Sequence, residues 1–141
     1  MDFFTGNLLA VLVAAVVAFI IGFLWHGPLF GKQWIRLMEI PQSEVDAMQA
    51  KGMGPMIPHM AAAFIQQLVI AGVMAHLATA LTIVDAAGAI MLAVLLWIGF
   101  IVTVQLNGVL WEKRKLNLYF FNITYHLVVL VVVALIVVMW Q

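Results

Sequence analysis

The charged residues of the chain leave four long uncharged stretches between them. Asp, Glu, Lys and Arg are absent from stretches of 26 to 33 residues at positions 3–31, 52–84, 86–111 and 116–141. An apolar helix of about 20 residues crosses a bilayer core about 30 Å thick, so each stretch is long enough to span a membrane. The pattern predicts four transmembrane helices, at about residues 7–30, 59–82, 87–110 and 119–140.

The predicted fold class is all-α: a polytopic membrane protein with one four-helix domain over residues 1–141. The fourth stretch is rich in Val from His126 to Met139, a composition that favours a β-strand in water. In lipid a lone strand leaves its backbone unpaired, so we expect a helix there as well. A large soluble protein could bury one such segment, but 141 residues leave no chain to cover four.

The first stretch is predicted to be a retained helix and not a cleaved signal peptide. A signal peptide starts with a positively charged segment and has an apolar core of about 7–15 residues. Here the preceding segment contains Asp2 and neither Lys nor Arg, and the apolar run is longer.

The segment between the first two predicted helices, residues 31–58, is the only sizeable polar part of the chain. Pro28 ends the first helix because it lacks an N–H donor and clashes with the preceding turn. Residues 32–39 place Trp34 on an apolar face opposite charged residues, which is typical of a short amphipathic helix in the headgroup layer. Residues 41–51 predict a second short helix, with Pro near its start and Gly just past its end.

The distribution of cations predicts the orientation of the four helices. All six Lys and Arg residues lie in the loop at 31–58 or in the loop at 111–118: Lys32, Arg36, Lys51, Lys113, Arg114 and Lys115. In a four-helix topology these two loops share one side, which the positive-inside rule places in the cytoplasm. We therefore expect a multi-pass protein of the bacterial inner membrane with both termini outside the cytoplasm.

The composition excludes several classes of function. Hydrophobic residues make up 67% of the chain and charged residues 9%, against about 45–50% and 25% in soluble domains. Six cations balance six anions, so no basic face is available for nucleic acid. Cys is absent, which excludes disulfides and thiol nucleophiles. Gly-x-Ser-x-Gly and phosphate-binding motifs are also absent, and the only serine is Ser43, so we predict a protein that is not an enzyme.

Polar side chains within the predicted helices gather in the half nearer the basic loops, with His76, near the opposite end, as the exception. This candidate polar cluster consists of His26, Gln67, Gln105, Asn107, Asn122 and His126. One interpretation is that these groups only bond across helices and fix the packing. The other is that they line a cavity for a headgroup, a small solute or an ion. Because no span contains a carboxylate or a cation, the sequence argues against ion-coupled transport.

A cofactor is not predicted. His26 and His126 lie at similar depths on different helices, as a bis-histidine haem site would require. No His-x-x-x-His pair or carboxylate accompanies them, so we expect neither haem nor metal. Three aromatic residues, Trp25, Trp34 and Trp111, are predicted to anchor the helices at the membrane interface.

Small residues recur at four-residue spacing on every predicted helix, as in Ala14, Ala18 and Gly22. Such rows allow helices to approach closely in lipid. The leading hypothesis is a non-enzymatic structural or accessory subunit that packs with itself or with a larger membrane complex. The alternative is a small transporter, or a lipid- or solute-binding protein, that uses the polar cluster.

Two segments of the chain, Gly22–Trp25 and Gly108–Trp111, resemble each other, which suggests a duplicated two-helix hairpin.

Three segments of the chain resemble a known family. These segments are Trp25-His26-Gly27-Pro28-Leu29-Phe30-Gly31-Lys32-Gln33-Trp34, Gly108-Val109-Leu110-Trp111-Glu112 and Asn122-Ile123-Thr124-Tyr125-His126. They resemble the bacterial membrane family named domain of unknown function 1761, in which a Tyr is usual at the position of His26. The resemblance implies a four-helix integral membrane protein and brings no reaction, substrate or catalytic residue.

Overall fold

The computed structural model describes residues 8–52 and 54–140, and the regular structure in these ranges is entirely helical. Residues 1–7 and 141, with the start of the first predicted span and both predicted outer termini, lie outside the described residues, as does residue 53. The α-helices are α1 (Leu8–Leu24), α2 (Gly31–Leu37), α3 (Gln42–Lys51), α4 (Ile57–Ala80), α5 (Ala86–Leu96), α6 (Thr103–Trp111) and α7 (Leu116–Met139).

Four helical segments are long and apolar enough to cross a membrane. A kinked turn follows α1, a π-helical turn joins α5 to α6, and a short 3-10 turn precedes α4. The resulting candidate spans are Leu8–Leu29, Gly54–Ala80, Ala86–Trp111 and Leu116–Met139. The all-α class with four candidate transmembrane helices, predicted from the uncharged stretches, is confirmed.

Helix α7 is the centre of the bundle. It packs against α1, α4, α5 and α6. Of an apolar 18-residue segment of α7, 44% is buried, and the corresponding share in each of the other spans is 28% or less. Where the helices meet, the core contains eight fully buried alanines: Ala14, Ala15, Ala18, Ala71, Ala78, Ala89, Ala93 and Ala134. Small side chains allow the helix backbones to approach closely. In lipid such close packing holds helices together, because the hydrophobic effect does not act between them there. These buried alanines therefore serve packing within the chain.

The third span is held to α7 by two hydrogen bonds from aromatic rings to backbone carbonyls. Its middle, Trp97–Val102, is π-helical, and such a turn disturbs the regular ladder of backbone hydrogen bonds. Trp97 Nε1 donates to the carbonyl of Ile123 at 2.7 Å, and the hydroxyl of Tyr119 donates to the carbonyl of Val102 at 2.7 Å. The two bonds cross the interface in opposite directions and so fix the register of the third span on α7.

The first span ends in a bend that turns the chain into α2. Gly27 has φ −120° and ψ −107°, outside the helical region, and Pro28 follows it directly. Gly31 then lies against the end of the span, since a Cβ atom there would be 3.1 Å from the carbonyl oxygen of His26. The bend brings α2 back over the end of α1 and into contact with α7.

The two loops that carry all six cations lie at the same end of the bundle. The ammonium group of Lys115, just before α7, is 2.6 Å from a carboxylate oxygen of Glu39, which lies between α2 and α3. The hydrogen bond from Lys115 and its positive charge lower the pKa of the exposed Glu39 carboxyl below its ordinary value. We call this end of the molecule the loop end.

Candidate functional site

Two cavities lie on either side of α7 near the loop end, and Asn122 and His126 line both of them. These two residues are one helical turn apart on α7. The α4-side cavity, between α1, α4 and α7, has a volume of about 570 Å³. The α6-side cavity, between α6 and α7, has a volume of about 510 Å³. Both volumes lie within the range of small-molecule sites.

The α4-side cavity combines an apolar wall with polar groups. The apolar wall includes Phe19, Phe23 and Met60, and Trp34 of α2 borders the cavity. The polar side chains that line it come from α4, α7 and the bend after α1: His26, His59, Gln66, Gln67, Asn122, Tyr125 and His126. An amphipathic molecule would therefore meet both an apolar and a polar surface.

Gln67 is the polar residue of this cavity that is most deeply buried. It is 7% exposed, and its Oε1 atom has no hydrogen-bond partner among the described residues. A buried polar atom without a partner is destabilising by about 1–3 kcal/mol, and nearly all buried polar groups in proteins are paired. The oxygen of Gln67 is thus an acceptor without a partner, and it belongs to a residue that lines the cavity.

His26 is held in place by its own helix and by neighbouring rings. Its Nδ1 atom lies 3.0 Å from the carbonyl oxygen of Gly22, one turn earlier. The ring packs edge-on against Tyr125, at 4.9 Å between centroids, and against Trp34, at 5.6 Å. Because Nδ1 is engaged with the backbone, the remaining ring nitrogen, Nε2, is the one available to a ligand.

A cluster of aromatic rings closes the loop end of this region. Trp25 contacts Phe30, Phe121 and Tyr125, with centroids 4.7 to 5.9 Å apart. The bend at Gly27 makes this cluster possible, because it returns Phe30 and Trp34 to the end of α1.

The predicted role of Trp25, Trp34 and Trp111 as interface anchors stays a prediction. In the structure Trp25 lies within the aromatic cluster, Trp34 contacts His26, and Trp111 is 80% exposed.

The α6-side cavity is more polar and opens beside charged residues. Gln105 and Asn107 of α6 line it together with Asn122 and His126 of α7, and Tyr119 contributes to its wall. Glu112 and Arg114, which follow α6, also line it. The hydroxyl of Tyr119 donates to the carbonyl of Val102, just before α6, and so joins the third span to α7 beside this cavity.

All six residues of the candidate polar cluster therefore line a cavity, but not the same one. His26 and Gln67 belong to the α4-side cavity, and Gln105 and Asn107 belong to the α6-side cavity. Sequence reasoning missed six further polar lining residues, His59, Gln66, Glu112, Arg114, Tyr119 and Tyr125. The polar character of His59 and Gln66, both in the first half of α4, was a usable signal. Within residues 8–52 and 54–140, no three His, Asp or Glu side chains are arranged to hold a metal ion.

The comparison with protein families covers nearly the whole chain. A family model described as protein of unknown function (DUF1761) matches residues 9–138. The chain belongs to this family. No curated protein and no solved structure matches the chain. The three segments that resemble the family all border the cavities. The segment at 25–34 contributes to the aromatic cluster, and the segment at 108–112 lines the α6-side cavity. The segment at 122–126 contains Asn122 and His126, which line both cavities.

The contact between Gly22 and Tyr125 gives a direct test of this packing. A Cβ atom on Gly22 would lie 2.7 Å from the hydroxyl oxygen of Tyr125, so Gly22→Ala forces the ring to move. We expect the substitution to lower the free energy of unfolding by about 1–3 kcal/mol, as overpacking does, and to change the near-UV circular dichroism of the aromatic cluster. Equilibrium unfolding in mixed detergent micelles measures the first effect.

Two variants control this experiment. A Cβ atom on Gly99 meets no atom within 4 Å, so Gly99→Ala should leave the near-UV spectrum unchanged. Adding Tyr125→Phe to Gly22→Ala removes the hydroxyl and should restore stability. Equal effects of Gly22→Ala and Gly99→Ala would contradict the close contact.

Proposed function

We propose that this member of the DUF1761 family is a membrane-embedded binding protein. In the proposal, the α4-side cavity holds a small, mainly apolar molecule that carries a hydrogen-bond donor such as a hydroxyl or amine group. The observation that carries the proposal is that Gln67, whose buried Oε1 has no partner among the described residues, lines a cavity of about 570 Å³. A rotation of this amide toward the cavity would let its oxygen accept a hydrogen bond from the ligand's polar end.

The other residues of the cavity support a ligand without net charge. The side chains of Phe19, Phe23 and Met60 offer apolar surface for its body, while Asn122 and His126 offer further polar contacts. No Asp, Glu, Lys or Arg is among the described lining residues, and a charged group within a membrane is costly unless a partner compensates it. In this proposal the protein binds the molecule and does not transform it chemically.

The substitution Gln67→Leu separates binding from packing. Removing a hydrogen bond worth about 0.5–1.5 kcal/mol should reduce the amount of co-purifying ligand about two- to tenfold. The same change removes a buried acceptor without a partner, so the ligand-free protein should be as stable as the wild type or more stable. Mass spectrometry of extracts and unfolding after exhaustive detergent washing give the two measurements.

Thr124→Val is the matched control, since Thr124 is exposed on α7 and its hydroxyl bonds only to the carbonyl of Phe120. It should leave ligand content unchanged. The proposal fails if Gln67→Leu retains the wild-type ligand content, or if the wild type yields no small molecule under mild extraction.

We further propose that the protein lies in the bacterial inner membrane with the loop end in the cytoplasm and both termini outside. The bridge between Lys115 and Glu39 supports a shared end for the two basic loops. A periplasmically active reporter fused after Gln141 should be active, and the same reporter in the loop at 111–118 should not. Cytoplasmic activity of the terminal fusion would contradict this orientation.

An accessory or self-associating role is the second candidate function. The observation that favours it is a row of small and polar residues, Gly99, Thr103 and Asn107, on the exposed side of the third span. Gly99 has open space around its missing Cβ, and such rows allow a neighbouring helix to approach closely. The partner would be a second copy or another membrane protein.

Native mass spectrometry after gentle extraction tests this second role. We expect a particle heavier than one chain, and Gly99→Leu should convert it to the single chain because the side chain would block close approach. Leu95→Ala, at another exposed apolar position of the same span, should have no such effect. A wild type that is monomeric without a bound protein would exclude the role.

A further inference from the structure

The chain reverses direction after α6 and places Arg114 over the α6-side cavity. The backbone N–H groups of Glu112 and Arg114 both donate to the carbonyl of Gly108, at 3.2 and 3.0 Å. Lys113 between them has φ +56°, the left-handed conformation with which helices commonly end. The side chain of Arg114 lies directly on Gly108, since a Cβ atom there would be 3.0 Å from Arg114 Cδ. A larger residue at position 108 would displace Arg114.

The turn also brings Glu112 beside Arg114. Glu112 Oε2 lies 3.3 Å from Arg114 Nε, and the two side chains are 61% and 60% exposed. A surface pair of this kind contributes little to stability, so little is lost when each partner exchanges water for a ligand. Both residues line the α6-side cavity, which therefore has one carboxylate and one guanidinium side by side at its mouth.

Amide groups continue the site toward α7. Gln105, Asn107 and Asn122 line the same cavity, and each supplies both hydrogen-bond donors and acceptors. A purely anionic ligand would be repelled by Glu112, and a purely cationic one by Arg114. A group that carries both charges satisfies both residues at once, and its ester and hydroxyl oxygens can accept from the amides.

We propose that the α6-side cavity binds a zwitterionic aminophosphate group, with its phosphate on Arg114 and its ammonium on Glu112. Guanidinium groups bind phosphate oxygens through two parallel hydrogen bonds, and a primary ammonium donates to a carboxylate. The group is either the headgroup of an aminophospholipid or a soluble aminophosphate. The inference concerns a different cavity from the α4-side site and does not require a ligand there.

The test uses the full-length protein in nanodiscs that contain equal amounts of phosphatidylethanolamine, phosphatidylcholine and phosphatidylglycerol with identical acyl chains. Native mass spectrometry counts the lipids that the protein retains on release. We expect phosphatidylethanolamine to be enriched about two- to fivefold over phosphatidylcholine, whose quaternary ammonium has no N–H donor for Glu112. It should be enriched similarly over phosphatidylglycerol, which has no ammonium group.

Substitutions assign the contacts. Glu112→Gln should remove the preference for phosphatidylethanolamine over phosphatidylcholine, while Arg114→Gln should reduce retention of all three lipids. Lys113→Gln is the matched control, because it removes a cation from the same turn at a residue that does not line the cavity. It should leave both the lipid preference and the lipid retention unchanged. Unchanged elution and near-UV circular dichroism show that each variant keeps its fold.

A soluble arm separates the two sources. In phosphatidylcholine nanodiscs, titrated phosphoethanolamine should shift the amide NMR signals of Asn107 and Asn122 only if the free group binds. A shift there without lipid enrichment assigns the site to a soluble aminophosphate, and lipid enrichment without a shift assigns it to the headgroup. The inference is overturned if neither occurs, if phosphatidylglycerol is preferred, or if Glu112→Gln keeps the preference. Gln67→Leu should change none of these results, so failure of the α4-side proposal is recognised separately.

Discussion

Backbone polar groups within a bilayer have to find their partners inside the protein, because the hydrocarbon offers none. The third span departs from regular α-helical bonding at Trp97–Val102, and α7 bonds to it at both ends of that segment. Trp97 donates to a carbonyl of α7, and Tyr119 of α7 donates back to the carbonyl of Val102. The two bonds involve Ile123 and Tyr119 on either side of Asn122. The bond from Tyr119 satisfies a carbonyl of the irregular segment, and together with the bond from Trp97 it positions the shared wall of the two cavities.

Fully buried alanines and the two polar cavities occupy different halves of the bundle. Away from the loops, alanines such as Ala14, Ala71 and Ala134 are fully buried, and the helices lie close together. Toward the loop end, the interfaces contain Phe19, Gln67 and the aromatic cluster around Trp25, which are too large for equally close packing. The cavities are thus a consequence of how residue size changes along the helices, and they occur where polar side chains are concentrated.

The fold was largely predictable from the sequence, because the length of an uncharged stretch decides whether a helix can cross a bilayer. The six polar residues were also predictable as a group, from their position near the basic loops. The division of these residues between two cavities was not predictable from the sequence. It depends on how each helix is rotated relative to α7 and on a π-helical segment that the spacing of apolar residues does not indicate. In the sequence, Arg114 indicates only topology and Glu112 is only part of a family motif, because the turn at Lys113 that brings both to the cavity is a backbone feature.

The absence of charge within the described spans links the two proposed sites. A membrane protein that couples transport to an ion gradient usually carries a charged side chain in its spans, and here the residues at that depth are amides and imidazoles such as Gln67, Asn122 and His126. Such groups bind by hydrogen bonding and favour ligands without net charge. The pair formed by Glu112 and Arg114 is also neutral as a whole. Both cavities therefore suit neutral or zwitterionic molecules that reach them from the bilayer or its surface, and binding at either would be an equilibrium set by the concentration of the molecule there.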